Sequence, residues 1–173
     1  MTIDLNLFNY IHGFSGQYYW LDFLGHFLAR YLPFVLILIL VLLFIKDRRR
    51  YGFTLIKAIG AGFLTNLFLD KPLEILIPRD RPFVELGFNP LVSKAADSAF
   101  PSSHAAFFFA FSTAVYFSHK KLGILFYICS FFIVLARVYT GLHWPTDIIA
   151  GSLLGILVGL VLEKIIEYRA QKR

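Results

Sequence analysis

The stretch YLPFVLILILVLLFI, residues 31 to 45, contains no charged side chain and decides what kind of protein this is. A run this apolar has no polar face to turn to water. With YYWLDFLGHFLAR before it, the segment 19–45 exceeds the roughly 20 residues that carry a helix across a bilayer. The rest of the chain agrees: of 173 residues 58% are hydrophobic, 20 are Phe, and the mean hydropathy is +0.67. That composition excludes an ordinary water-soluble domain.

Further apolar segments follow at about 52–77, 102–118, 122–137 and 145–167. They predict an all-α integral membrane bundle of about five transmembrane helices. No internal repeat or linker divides it, so residues 1–173 are expected to form one domain. Near the N-terminus, Ile3, Leu5, Leu7, Phe8 and Ile11 alternate with Asp4, Asn6 and Asn9, which suits a short helix lying in the membrane interface. The same residues lack the basic leader and cleavage site of a signal peptide and are expected to be retained.

Other features of these segments read as packing. Gly151, Gly155 and Gly159 form a four-residue repeat that lets helix backbones approach closely in lipid. Cys129, inside FYICSFFIVL, has no second thiol to pair with and is expected to be a small buried hydrophobe. Asp22, His26 and Arg30 share one helix face and predict a polar stripe turned to the interface or to a neighbouring helix.

The net charge of +6 is split among short loops, which argues against nucleic acid and for lipid headgroups as the anionic partners. KDRRR at 46–50, HKK at 119–121 and the tail EYRAQKR all fall on one side of the predicted bundle. The positive-inside rule makes that side cytoplasmic, in a multi-pass protein of the cytoplasmic (inner) membrane. The loops containing 78–101 and 138–144 then lie on the periplasmic or extracellular side, where the unusual residues collect.

Three constellations gather there. IPRDRPF, residues 77–83, presents Arg79 and Arg81, with Lys71 further back; guanidinium forks suit phosphate oxygens. FPSSHAAFFFAF, residues 100–111, places Ser102, Ser103 and His104 at the start of an apolar helix, whose first amides lack acceptors and whose dipole favours an anion. ARVYTGLHWPTD, residues 136–147, carries Arg137, a turn at Gly141, His143, and Asp147 in the first turn of the last helix. Asp147 is expected to reach back to His143 and fix its tautomer, leaving a nucleophilic lone pair. No cluster has the ligand count or spacing of a zinc site, so a metal-free mechanism is expected.

These segments resemble the type 2 phosphatidic acid phosphatase superfamily, whose signature joins K-x6-R-P, P-S-G-H and S-R-x5-H-x3-D. Arg81–Pro82 match the first, Pro101–Ser102–Ser103–His104 the second, and Arg137, His143 and Asp147 the third with both spacings kept. The sequence departs from the pattern in three places. Glu74 occupies the lysine position, so that Lys71 or Arg79 would have to replace that charge; Ser103 stands for glycine, and Ala136 for serine.

The resemblance implies that His143 attacks phosphorus to form a phosphohistidine, with Asp147 orienting it. His104 would protonate the leaving oxygen and then activate water. Arg81, Arg137, Ser102 and the Ser103 amide would hold the phosphoryl oxygens. The implied substrate is a membrane lipid phosphate or diphosphate, namely lipid A 1-phosphate, undecaprenyl pyrophosphate, phosphatidylglycerol phosphate or phosphatidic acid, and no cofactor is implied. The rivals are a vanadate-dependent haloperoxidase, disfavoured by the membrane spans, and a lipid-phosphate transporter or binding protein that does not hydrolyse.

Overall fold

The structure is a computed structural model that describes residues 2–172; Met1 and Arg173, the ends of segments read above, lie outside the described residues. Helix α1 (Thr2–His12) is followed by α2 (Tyr19–Arg30) and α3 (Leu32–Lys46). These two meet at a 50° bend. Pro33 explains the break: in the first turn of α3 it supplies no N–H to continue α2. The predicted first span is therefore two helices.

Helix α4 (Arg48–Thr65) starts at Asp47, whose side chain accepts the Arg50 amide at 3.0 Å. It continues through a π-helical turn, Asn66–Asp70, into α5 (Lys71–Leu76). Pro72 cannot donate a hydrogen bond and its ring crowds the preceding turn, so the helix widens there instead of stopping. A short α6 (Pro82–Glu85) and a long loop lead to α7 (Ser103–Ser118), α8 (Lys120–Tyr139) and α9 (Pro145–Gln171).

All five predicted segments are thus helical. Among the described residues, three rods are long and apolar enough to cross a membrane, or four if the bent α2–α3 pair is one span. Helix α7, with 16 residues, is shorter than a full crossing requires, and α4, α8 and α9 pack around it. Large apolar side chains such as Phe34, Ile56, Ile75 and Leu153 point outward and give the bundle a surface suited to lipid rather than water. Cys129 is half-buried against the core rather than fully enclosed.

Small residues set how closely α9 approaches α7. A Cβ on Gly151 would fall 2.6 Å from the Ser102 carbonyl oxygen, and one on Gly155 would meet the backbone of Ala106 and Ala110. Gly155→Leu is therefore expected to push the helices apart and destabilise the protein by at least ~3 kcal/mol, whereas Leu153→Ala on the outer face changes little. Thermal melting in detergent checks this; equal melting temperatures for the two variants would refute the packing role.

Helix α1 lies across the end of the bundle that carries the motif residues. Phe8 is fully buried against Trp144 and Phe88, while Ile3 and Tyr10 stay exposed. Its one-sided burial fits the expected interfacial helix, and Asp4 and His12 attach it to the chain around 139–147.

Candidate active site

The C-terminal end of α8 and the start of α9 are joined by a tight turn in which Gly141 takes a φ of 81°, a left-handed conformation that disfavours a side chain. The turn carries His143 into the interior, where it is 2% exposed. Its Nδ1 lies 3.0 Å from the Ala99 carbonyl oxygen and its Nε2 lies 3.0 Å from Arg81 Nη1. A carbonyl only accepts and a guanidinium only donates, so Nδ1 carries the proton and Nε2 presents a lone pair.

The expected Asp147–His143 hydrogen bond is replaced. Asp147 Oδ2 stands 3.7 Å from His143 Nδ1, too far for that bond. It accepts the Trp144 amide at 2.9 Å, and Oδ1 accepts Arg79 Nη1 at 2.7 Å. Asp147 sits in the first turn of α9, where its carboxylate satisfies a free helix-terminal amide before it can reach the ring. The Ala99 carbonyl fixes the tautomer, and Asp147 is held by Arg79 and the Trp144 amide.

Arg81 is almost fully buried and every nitrogen of its guanidinium is used. Nε donates to Asp97 Oδ1 at 2.9 Å, Nη2 to the Ser98 carbonyl at 3.1 Å, and Nη1 to the Leu142 carbonyl at 2.9 Å besides His143. Asp97 also accepts Lys94 at 2.9 Å. Burial alone would raise the Asp97 carboxyl, but Lys94 and Arg81 outweigh it and hold it below the usual carboxylate range. His143 is pushed well below the usual imidazole value, first by burial and then by the Arg137 and Arg81 charges.

Two groups expected to hold phosphate have no internal partner among the described residues. Ser102 Oγ is buried and unbonded, and Arg137, 4% exposed, has an unpartnered Nε. The first intrahelical bond of α7 runs from the Ala106 amide to the Ser102 carbonyl, which leaves the amides before it without helix acceptors. Orphaned buried donors of this kind normally have a ligand or water to satisfy them.

Arg79 and Lys71 are placed differently. Arg79 donates to Asp4, to Thr146 Oγ1 and to Asp147, tying α1 to the start of α9. Lys71 pairs with Glu74 at 2.7 Å, its side chain largely exposed, and Glu74 accepts the Ser103 hydroxyl at 3.3 Å. Both cations expected as substitutes for the missing lysine are therefore held by carboxylates.

His104 lines two cavities. One, of about 280 Å³, is bordered by Arg30, Lys94, Arg137 and Leu142; the other, of about 410 Å³, is an apolar groove bordered by Pro33, Ile37, Ile59, Phe63 and Phe107. Phe34 borders both as well. Of these, Arg30 and Lys94 escaped the reading of the sequence, as did Asp97 and the Ala99 carbonyl. Only Arg30 carried a signal, its place in the Asp22–His26–Arg30 stripe.

The arrangement, a buried imidazole whose Nε2 lone pair faces Arg81 beside a second arginine and a helix terminus, has the parts that phosphoryl transfer needs in a membrane bundle. Residues 50–171 match the family model described as the PAP2 superfamily, and the chain belongs to that superfamily as an integral-membrane lipid phosphatase. It is 31% identical over 159 residues to the bacitracin transport permease protein BcrC of Bacillus licheniformis, covering 91% of this chain and 78% of that one. It is 34% identical over 158 residues to the putative undecaprenyl-diphosphatase YbjG of Escherichia coli strain K12, covering 90% and 79%. The crystal structure of Aquifex aeolicus LpxE superposes with a TM-score of 0.76 at 27% identity, covering 94% of this chain and 95% of that one.

Proposed function

We propose that this protein removes the terminal phosphate from a membrane lipid phosphate or diphosphate, without a metal ion, through a phosphohistidine on His143. The observation that carries the reading is the meeting of a cationic chamber and an apolar groove at His104 and Phe34. A phosphate head fits the first and a hydrocarbon tail the second, and the candidate proton donor stands where head joins tail. Lipid A 1-phosphate, undecaprenyl diphosphate, phosphatidylglycerol phosphate and phosphatidic acid all have that form.

In the proposed reaction the phosphoryl group takes the place beside Nε2 now held by Arg81, and its oxygens bond Arg81, Arg137 Nε, Ser102 Oγ and the first amides of α7. Arg137 Nε and Ser102 Oγ have no bond to give up, so the reorganisation falls on Arg81, whose Nη1 leaves Nε2 for a phosphoryl oxygen as charge builds on the transferring group. Nε2 attacks, and His104 protonates the leaving oxygen. Asp147, at 3.7 Å, offsets the positive charge that appears on His143. His104 then activates the water that releases phosphate.

The basic turns at 46–50 and 119–121 lie at the end of the bundle away from His143, because α3 and α8 run from one end to the other. The positive-inside rule supports a catalytic end that faces the outside of the cytoplasmic membrane. The proposed domain comprises the whole chain. Phosphate release by the purified protein from the four lipids, with a chelator present, tests the reading. Release from at least one is expected; lipid binding without release from any would favour a non-hydrolytic binding protein.

A further inference from the structure

Arg30 and Lys94 border the small chamber, and the mechanism leaves both unused. Arg30 ends α2, next to the break before α3, and makes no hydrogen bond or ion pair among the described residues. The stripe to which it belongs is directed at the catalytic end: Asp22 accepts the Tyr139 hydroxyl at 2.6 Å, and His26 Nδ1 lies 3.4 Å from the Leu91 carbonyl. The last member, Arg30, borders the chamber together with Lys94, His104 and Arg137.

The charges in and behind this chamber exceed what one phosphate needs. Arg30, Lys94 and Arg137 border it, and Arg81 joins through Asp97, the carboxylate that Lys94 shares. Against that one carboxylate, four cations leave a surplus of three charges. A phosphate monoester carries roughly two negative charges near neutral pH, and a second phosphate adds about one more. A volume of about 280 Å³ also exceeds the space of a single phosphate.

We propose that Arg30 and Lys94 form a second phosphate subsite, and that the substrate is a lipid diphosphate cleaved between its two phosphates. The inference rests on the phosphatase reading above. The terminal phosphate lies against His143, Arg81 and Arg137; the second lies against Arg30 and Lys94; and the tail passes Phe34 into the groove. His104, which borders both cavities, stands beside the bridging oxygen.

In the first step Nε2 of His143 bonds to the terminal phosphorus as the bond to the bridging oxygen breaks. The electron pair stays on that oxygen, which takes the His104 proton, and the lipid leaves as a monophosphate. In the second step His104 takes a proton from water, whose oxygen bonds to phosphorus as the N–P bond breaks. Net, one water is consumed, one inorganic phosphate is released and His143 regains its lone pair.

Two measurements on the purified protein test the subsite. Arg30→Gln should lower the ratio of kcat/KM for a polyprenyl diphosphate to that for the polyprenyl monophosphate by about tenfold, with Lys94→Gln acting in the same direction and Arg30→Lys restoring most of the ratio. Calorimetric titration should show inorganic diphosphate binding more tightly than orthophosphate, with that preference lost in Arg30→Gln. Equal losses on both lipids would make Arg30 a headgroup anchor and overturn the proposal, as would an unchanged ratio. If the wild type hydrolysed neither lipid but kept an Arg30-dependent preference for diphosphate, the phosphatase reading would fall and the subsite would stand.

Discussion

His143→Ala is expected to lower turnover at least ~10⁴-fold, because it removes the proposed nucleophile, and His104, the other imidazole at the chamber, is needed for proton transfer. The fold should survive: Arg81 keeps its bonds to Asp97, Ser98 and Leu142, and Ala99 loses only one acceptor contact. Brief reaction with a radiolabelled substrate, followed by alkaline denaturation, should leave acid-labile phosphate on the wild type and none on the variant. Glu74→Ala should keep much of the activity, since among the described residues Glu74 hydrogen-bonds Lys71 and Ser103 and none of the proposed reacting groups. A comparable loss in both variants would refute the assignment of His143.

The environment of His143 also sets the acid limb of the pH profile. Protonating Nε2 would remove its lone pair, and burial with two neighbouring guanidinium groups holds the ring below its usual value. The proposed nucleophile is therefore expected to be neutral at pH 6.5, the ordinary imidazole value. Any loss of activity that belongs to His143 begins only well below that pH.

Arg137→Met should move activity and stability in opposite directions. In the free protein its guanidinium is buried with an unpartnered Nε, a costly state that an apolar side chain of similar length avoids. The variant should gain about 1–3 kcal/mol of stability, seen as a higher melting temperature in detergent. Its kcat/KM should fall by about 10³-fold, since the donor becomes satisfied only when phosphoryl oxygens arrive. A lower melting temperature with full activity would instead make Arg137 an anchor for the end of α8.

Much of the site was legible because its chemistry is concentrated at helix ends. The spacing of Arg137, His143 and Asp147 places them around one short turn, and Pro101 to His104 read as a helix start without the fold. The partners that tune them lie far away in sequence. Ala99 is 44 positions from His143, and Asp4 is 75 from Arg79, so no local period connects either pair. Arg79 and Lys71 looked alike as candidate phosphate ligands, and only the folded chain shows that carboxylates hold both.

By itself, the sequence determined the class of the protein: apolar segments this long can satisfy their backbones in lipid only as helices, and the ionisable groups between them had to collect at the helix ends. Which of those groups face a ligand and which face one another was left to the tertiary structure. It separated Arg137 and Ser102, buried without partners among the described residues, from Arg79 and Lys71, neutralised by carboxylates, and it brought Arg30 to the cationic chamber. The physical reason is that a charge takes its role from the partners within a few ångströms, and here packing, not spacing along the chain, supplies most of those partners.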